Sequence, residues 1–332
     1  MPFYQRRGDL PRKRHIVFRD NGTLLTEEVM GLEGFSGNES ILYHLQSPCR
    51  VKELGAFTPI EREEWVPETH AHRLQNTYDV PPQGDEIAGR RTLMWNDDVE
   101  ISFCRPDSTM DYFFRNGEGD EVIFVYEGSG TLETIFGELP YKEGDYVVVP
   151  RGTTYRFVPE EGSEQLYLVF ESPGHIEIPR RYRNEYGQLL EHAPYYHRDI
   201  HAPTVLKTYR ERGDFQVKVR VRGGYQTYVL DYHPFDVVGW DGYCYPWTFS
   251  IHDFEPIVGS LHQPFQAVHT LDVAIDHHER AVGAAAAAVN QPGESLALEA
   301  GSRRDQHRQV RSRRPNEIFG RTLDERLRRV DV

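Results

Sequence analysis

All but one of the aromatic side chains lie in the first 278 of the 332 residues. Of the 40 Tyr, Phe and Trp residues, 39 precede Glu279 and only Phe319 follows it. Aromatic residues pack well on pleated, half-buried sheets, and the 28 Gly and 21 Pro residues mark frequent turns. The aromatic-rich part is therefore predicted to form an all-β structure of short strands, and the remainder is not expected to share its core.

Charge and composition exclude several classes of partner. The formal charge of -14 argues against a nucleic-acid partner, because contact with phosphates needs a basic surface. No stretch approaches the roughly 20 apolar residues of a membrane-spanning helix, and the basic N-terminal residues carry no apolar signal-peptide core. The 3 cysteines are too few for a disulfide framework or a cysteine-rich zinc site. A soluble, cytoplasmic protein is expected.

Residues 273–332 are predicted to be an atypical, disordered tail. From Glu279 onward the chain has 11 Arg, no Lys and 8 acidic residues. A segment with one aromatic residue cannot bury enough apolar area to offset its chain entropy. An RNA-binding arm is one alternative. An Ala- and Arg-rich, Lys-free composition is also what a GC-rich gene gives when it is read out of frame, so a truncated or frameshifted C-terminus is expected.

Residues 95–172 are typical of a small antiparallel barrel, since short apolar strands alternate with glycine-containing turns. The predicted strands are residues 122–126, 131–136, 146–149 and 165–170. The run from Gly144 to Tyr155 resembles the second cupin motif, in which a Gly, five residues, Pro-x-Gly and two further residues precede a His. Glu121 and Gly128 have the spacing of the Glu and Gly in the first cupin motif.

The metal ligands of the cupin motifs are not matched in this barrel. The two histidines of the first motif correspond to Phe114 and Asn116, or to the residues one position later, and the final histidine corresponds to Tyr155. Only Glu121 remains of four ligands, and one carboxylate cannot hold Fe(II) against water. The barrel is therefore predicted to be a metal-free structural unit, with Glu121 and Tyr155 facing its interior.

Several collinear segments carry a resemblance to one enzyme family: residues 11–15 (PRKRH), 27–36 (EEVMGLEGFS), 119–121 (GDE), 186–195 (YGQLLEHAPY), 233–242 (HPFDVVGWDG), 245–246 (YP) and 253–257 (DFEPI). Together they resemble homogentisate 1,2-dioxygenase, a cupin-superfamily enzyme of tyrosine and phenylalanine catabolism. Collinear matches over about residues 1 to 270 are more specific than any single motif. The resemblance implies a jelly-roll bicupin: an N-terminal domain over residues 1–215 with the metal-free barrel, and the start of an incomplete catalytic cupin over residues 216–272.

The resemblance also implies an activity, the Fe(II)-dependent opening of homogentisate by O2 to maleylacetoacetate, and an assembly of trimers or hexamers. This chemistry needs two His and one carboxylate on one face of the iron, with open positions for substrate and O2. The family supplies them in a Tyr-x-His stretch with a Glu six residues after the His, and in a later His-Gly-Pro-His segment. Neither follows residue 272. The chain is therefore expected to lack the iron site and not to bind the metal.

Other histidines are interpreted as solvated. His197 lies in a stretch similar to the first iron motif, but Pro203 stands six residues later, where a carboxylate is needed. No cupin-like Glu follows the pair at residues 70 and 72 at the required spacing, and the pair at residues 277 and 278, which adjoins Asp276 and Glu279, lies beyond the end of the resemblance. None of these histidines is assigned to a metal.

One site residue is implied by the resemblance. His262 stands at the position of the family's general base, which accepts the phenolic proton of the substrate, and His269 is the alternative. Three functions stay open: an active dioxygenase, a metal-free cupin that binds a small aromatic acid or only self-associates, and an inactive truncated product. Iron content separates the first from the other two.

Overall fold

The regular secondary structure of the described residues consists almost entirely of β-strands. The computed structural model describes residues 3–12, 19–20, 23–34, 36–62, 64, 76–185, 187–255 and 274–275. Within these ranges there is no α-helix, and no helix is long and apolar enough to cross a membrane. Three short 3-10 helices span Arg180–Tyr182, His197–Asp199 and Ile251–Asp253.

The strands are β1 (Gln5–Gly8), β2 (Arg19–Asp20), β3 (Thr23–Leu24), β4 (Thr26–Glu33), β5 (Ser36–His44), β6 (Glu53–Pro59), β7 (Arg90–Trp95), β8 (Glu100–Cys104), β9 (Phe113–Asn116), β10 (Asp120–Glu127), β11 (Ser129–Thr134), β12 (Gly137–Lys142), β13 (Asp145–Val149), β14 (Thr154–Pro159), β15 (Leu166–Ser172), β16 (Ile176–Glu177), β17 (Ile200–His201), β18 (Arg212–Val221), β19 (Gly224–Tyr232), β20 (Val237–Gly242), β21 (Trp247–Ser250) and β22 (Ala274–Ile275).

Three larger sheets organise these strands. A four-stranded sheet has the order β1-β20-β5-β4. Two seven-stranded sheets, with the orders β17-β21-β13-β10-β15-β8-β7 and β12-β11-β14-β9-β18-β19-β6, form the walls of the barrel. All pairs in them are antiparallel except β9 and β18, which run parallel. The pairs β2-β3 and β16-β22 form two small two-stranded sheets.

The alternation of side-chain direction along each strand decides which residues fill the interior of the barrel. On β10, Ile123 and Val125 belong to the buried cluster between the two seven-stranded sheets, while Val122 and Phe124 belong to a second cluster outside them. Successive side chains of a strand point to opposite faces, so the same register directs Glu121 into the barrel. The all-β, cupin-type barrel predicted from the sequence is confirmed.

The second hydrophobic cluster joins the barrel to the four-stranded sheet. Trp240 on β20 is fully buried, and its indole Nε1 donates a hydrogen bond to the backbone oxygen of Phe136, 2.8 Å away. The two rings meet edge to face with centroids 5.0 Å apart, and Tyr245 lies on another side of the indole at 5.4 Å. Aromatic contacts of this kind add to the stability gained from burial. Trp240 therefore fixes the sheet against the barrel.

Turn chemistry explains where two barrel strands begin and end. Gly152 has a φ of 88°, a left-handed conformation that favours glycine, and its N–H donates to the backbone oxygen of Asn116 at 2.7 Å. The strand predicted over residues 131–136 instead spans Ser129–Thr134. It ends two residues early because the Thr134 hydroxyl accepts from the Phe136 N–H and donates to the Gly137 oxygen, which closes the turn into β12.

The predicted division between residues 215 and 216 falls inside β18, in a strand that pairs with β9 of the barrel. The division into an N-terminal domain and a second cupin stays a prediction. Apart from Ala274 and Ile275, which pair with Glu177 and Ile176 respectively, the predicted tail from residue 273 lies outside the described residues. His262, His269 and the histidine pairs at residues 70/72 and 277/278 also lie outside them.

A buried histidine in the four-stranded sheet contacts carboxylates from two segments that are distant in sequence. His44 at the end of β5 is 3% exposed, and its Nδ1 lies 2.7 Å from Asp236 Oδ1. Its Nε2 lies 2.9 Å from Glu28 Oε2 on β4. Burial alone would lower the pKa of His44, but the hydrogen bonds and negative charges of the two carboxylates outweigh it and raise the pKa to about 9. His44 is therefore a buried cation at neutral pH.

The free energy of unfolding is expected to fall as the pH rises from about 6.5 to about 9. Because the pKa of folded His44 lies above the ordinary value of 6.5, its protonated ring stabilises the fold fully below about pH 6.5, and this contribution is lost progressively until the folded pKa of about 9 is passed. The loss is on the order of 3 kcal/mol. Urea unfolding between pH 7 and 10 measures it. His44→Gln should remove most of this slope, and an equal slope in both proteins would contradict the assignment.

Candidate functional site

The interior of the barrel is organised around the guanidinium of Arg90, the first residue of β7. Arg90 Nη1 donates to Glu121 Oε1 at 2.5 Å and to Glu171 Oε1 at 3.2 Å. Its Nη2 donates to the Tyr155 hydroxyl at 3.2 Å, and its guanidinium carbon lies 5.6 Å from the centroid of the Phe114 ring. The Tyr155 hydroxyl in turn donates to Glu121 Oε2 at 2.7 Å. Every acceptor in this group is matched by a donor.

A second guanidinium extends the cluster along the barrel. Arg220 on β18 donates through Nη1 to Glu171 Oε2 and through Nη2 to Glu100 Oε2 at 2.7 Å. Asn116 Nδ2 adds a hydrogen bond to Glu171 Oε2 at 2.7 Å. Glu171 therefore accepts hydrogen bonds from three side chains. It is the carboxylate that connects the two arginines.

The cluster reaches the barrel edge at Glu100, which accepts from Thr92 Oγ1 at 2.7 Å and from Arg62 Nη2 at 2.5 Å. Burial would raise the pKa of Glu100, but the hydrogen bond from Thr92, the charge of Arg220 and the hydrogen bonds from Arg62 and Arg220 lower it to about 2. Glu100 is thus ionised at neutral pH. The cluster thus joins three arginines to three buried glutamates, and the partly exposed Glu118 lies a further 3.5 Å from Arg220 Nε. Burial and the charge of Glu121 raise the pKa of Glu171 above its ordinary value.

The low solvent exposure of these side chains shows that the cluster fills the interior of the barrel. Phe114, Glu121 and Tyr155 are fully buried, and the side chain of Arg90 is 5% exposed. Burial would lower the pKa of Arg90, but the charge of Glu121 leads the effects that hold it well above the ordinary value. The guanidinium stays charged at any pH at which the protein folds. A buried charge of this kind is tolerated only when it is paired and hydrogen-bonded.

The structure distinguishes the two registers left open for the first cupin motif. Phe114 and Asn116 are buried and belong to the network around Arg90, whereas Arg115 is half-buried and donates through Nε to Thr154 Oγ1 at 2.8 Å. The residues at positions 114, 116, 121 and 155 therefore converge in space, as the motif comparison requires. Three of them contact the Arg90 side chain, and Asn116 is joined to it through Glu171.

Fe(II), which the resemblance implies, does not fit the residues gathered here. A ring-cleaving iron centre needs two imidazoles and a carboxylate with open positions beside them. Around Glu121 the neighbouring groups are a phenol, a phenyl ring and the cationic guanidinium of Arg90, which repels a metal ion. Over the ranges that the structure describes, no cluster of three or more His, Cys, Asp or Glu side chains is arranged to hold a metal. We derive no step through iron in this barrel.

His197 is exposed, as expected from the sequence. It begins a 3-10 helix, and its Nε2 accepts a hydrogen bond from the Leu189 N–H at 3.0 Å. Its ring lies 4.0 Å from that of Phe3, between centroids. These contacts give His197 a structural position at the surface.

Sequence reasoning identified Glu121 and Tyr155 but missed their cationic partner. Arg90 precedes the predicted barrel, and 31 residues separate it from Glu121. One usable signal was present: Tyr167, Val169 and Glu171 alternate on the inward face of β15, so Glu171 falls in a core register. A carboxylate at such a position needs a buried partner.

Comparison with known proteins is consistent with this architecture. The sequence model of the family described as homogentisate 1,2-dioxygenase N-terminal matches residues 83–251. A protein of Saccharolobus solfataricus, whose name gives dioxygenase as an inferred activity, is 44% identical over 271 residues, covering 81% of this chain and 70% of the relative. The chain belongs to the homogentisate 1,2-dioxygenase N-terminal family.

More distant relatives carry the name of the enzyme itself. Homogentisate 1,2-dioxygenase of Rhodopseudomonas palustris is 26% identical over 271 residues, covering 75% of this chain and 58% of the enzyme. The chain thus matches little more than half the length of that enzyme. Among solved structures, a cupin-2 domain protein of Shewanella frigidimarina covers 29% of this chain and 87% of its own, with 17% identity and a TM-score of 0.25.

Proposed function

We propose that this chain is the metal-free, structural half of a homogentisate-dioxygenase-type enzyme, and that the barrel takes no part in ring cleavage. One observation carries the proposal: the Arg90 guanidinium contacts Glu121, Tyr155 and Phe114 at the centre of the barrel. Substrate and O2 would need open space and an open metal at that place. The centre of the barrel offers neither open space nor an open metal, so the role of the barrel is structural.

The reaction to which the family points is the oxidative opening of homogentisate by O2 to maleylacetoacetate. Iron would supply the chemistry by binding both substrate and oxygen. We propose that any iron ligands lie outside the barrel, and that this sequence, which carries neither iron motif of the family after residue 272, does not hold the metal. His262 or His269 would act as a general base only in a protein that holds iron.

Purified protein supplied with Fe(II) and homogentisate is expected to show no substrate-dependent oxygen uptake and no ring-opened product. An oxygen electrode and the absorbance of the product measure the two quantities, with the Rhodopseudomonas palustris enzyme as the positive control. Oxygen uptake that depends on homogentisate would contradict the proposal. In that case His262→Ala and His269→Ala, compared at equal iron content, would identify the general base.

A second function, a metal-free module that binds a small aromatic acid, is favoured by one cavity outside the barrel. The cavity has a volume of about 200 Å³ and lies between the turn of β4 and β5 and residues 175–183. Its lining residues include the basic Arg180, Arg183 and His175 and the acidic Glu33 and Glu177. Arg183 is paired with Glu177 at 2.8 Å, and His175 Nε2 lies 4.0 Å from Glu33 Oε1. Calorimetric titration with homogentisate discriminates this function: saturable heat that Arg180→Gln abolishes supports it, and an absence of heat excludes it.

A further inference from the structure

The side chains around Arg90 are arranged like the ligands of a cation site. The cation that they surround is the Arg90 guanidinium, which is part of the chain. Two carboxylates, Glu121 and Glu171, a phenolic oxygen and the face of an aromatic ring all point to one place in the barrel. Carboxylates buried to this degree require a cation beside them, because an uncompensated charge in the interior costs several kcal/mol. The buried carboxylates therefore require a positive charge at this place, and either an arginine or a bound cation can supply it.

We propose that Arg90 is the resident cation of this site, occupying the position that a metal ion would take, and that a divalent cation binds there once the guanidinium is removed. Arg90 contacts Phe114, Glu121 and Tyr155 directly and reaches Asn116 through Glu171. These are the four positions that the cupin motifs assign to ligands. The inference goes beyond the proposed function, since it concerns how the barrel remains folded without a metal.

The turn before β7 fixes where the guanidinium lies. The Gly89 N–H donates to the Asp85 oxygen at 2.8 Å, and the Asp85 carboxylate accepts from the Ile87 N–H at 2.9 Å. A side chain at Gly89 would place its Cβ 2.3 Å from the Gln83 oxygen, so only glycine fits this close approach. Arg90 Nε itself donates to the backbone oxygen of Glu86 at 3.0 Å. The guanidinium is therefore held at both ends, as a ligand in a prepared site is.

The donor atoms select the kind of metal. Removal of Arg90 frees the oxygens that it contacts, namely Glu121 Oε1, Glu171 Oε1 and a lone pair of the Tyr155 hydroxyl. Glu121 Oε2 stays paired with Tyr155, and Glu171 Oε2 stays paired with Arg220 and Asn116. Oxygen donors of this type suit hard divalent cations such as Mn²⁺, Mg²⁺ and Ca²⁺, whereas soft or imidazole-preferring metals lack their ligands here. Mn²⁺ is the most useful probe, because its bound and free forms differ in electron paramagnetic resonance.

The experiment compares thermal unfolding with and without Mn²⁺ in four proteins. In Arg90→Met, which keeps a side chain of similar length without charge, saturating Mn²⁺ is expected to raise Tm by about 5 °C or more. The wild type and Arg156→Met, which loses a partly exposed arginine paired with Glu133, should show no such rise. Arg90→Met combined with Glu121→Gln should lose the response, and electron paramagnetic resonance should count one bound Mn²⁺ per chain in Arg90→Met alone.

A rise in Tm of equal size in the wild type, or no rise in Arg90→Met, would overturn the inference. If Arg90→Met does not fold without added cation, refolding yield replaces Tm as the quantity measured. Recovery of folded Arg90→Met in Mn²⁺ then supports the cation site, and failure to recover in any of the three cations contradicts it. Because none of these measurements involves homogentisate, their failure would leave the proposed function standing.

Discussion

The Glu171→Gln variant is expected to lose about 3–5 kcal/mol of its free energy of unfolding, which is the usual effect of breaking a buried ion pair by removing one partner. Glu171 is 5% exposed and accepts hydrogen bonds from Arg90, Arg220 and Asn116. The neutral amide would leave two buried guanidiniums short of negative charge and would offer Asn116 an N–H group in place of an acceptor. Urea unfolding at neutral pH measures the loss.

The matched control is Glu164→Gln. Glu164 also pairs with an arginine, Arg105, at 3.2 Å, but its side chain is 78% exposed. Exposed pairs contribute little because water screens them, so this variant should unfold near the wild-type midpoint. If both variants lost the same small amount of their free energy of unfolding, the buried network would contribute no more to stability than an exposed ion pair does. A typical domain has only about 5–15 kcal/mol in total, so the predicted loss makes Glu171→Gln marginal.

Trp240→Ala is expected to cost a similar amount, about 3–5 kcal/mol, because it opens a cavity where the four-stranded sheet meets the barrel. The indole is fully buried, and its loss also leaves the Phe136 oxygen without its donor. Trp240→Phe keeps part of the ring contact and should cost less. Trp95→Ala is the control, since Trp95 is 44% exposed. Thermal unfolding that shifts no further for Trp240→Ala than for Trp95→Ala would contradict this role.

Much of the fold follows from local sequence rules. Period-two alternation and Gly- or Pro-marked turns predicted strands within a few residues of β10, β11, β13 and β15. The shift in β11 arose from the hydroxyl of Thr134, which closes a turn that hydrophobicity alone does not reveal. The strands β18 and β21, which pair with β9 and β13 of the barrel, could not be placed there from local patterns because strand partners distant in sequence carry no local signal.

The candidate site, like the fold, could be predicted from the sequence only in part. The cupin motif placed Glu121 and Tyr155 in the interior because it encodes a strand register, and register fixes the direction of every side chain on a strand. Arg90 and Arg220 escaped notice because charged residues are usually exposed, and only the three-dimensional pairing with Glu171 shows why they are buried. The same holds for His44, whose partners Glu28 and Asp236 lie 16 and 192 residues away.

The barrel is expected to perform no metal chemistry, and iron content tests this most directly. Wild-type protein and the Glu121→Gln variant would be reconstituted with Fe(II) without oxygen, freed of excess metal, and measured by elemental analysis. We expect both proteins to retain far less than one iron per chain, with no difference between them, because the Arg90 guanidinium already pairs with Glu121 at 2.5 Å. One iron per wild-type chain that disappears in Glu121→Gln would contradict the account.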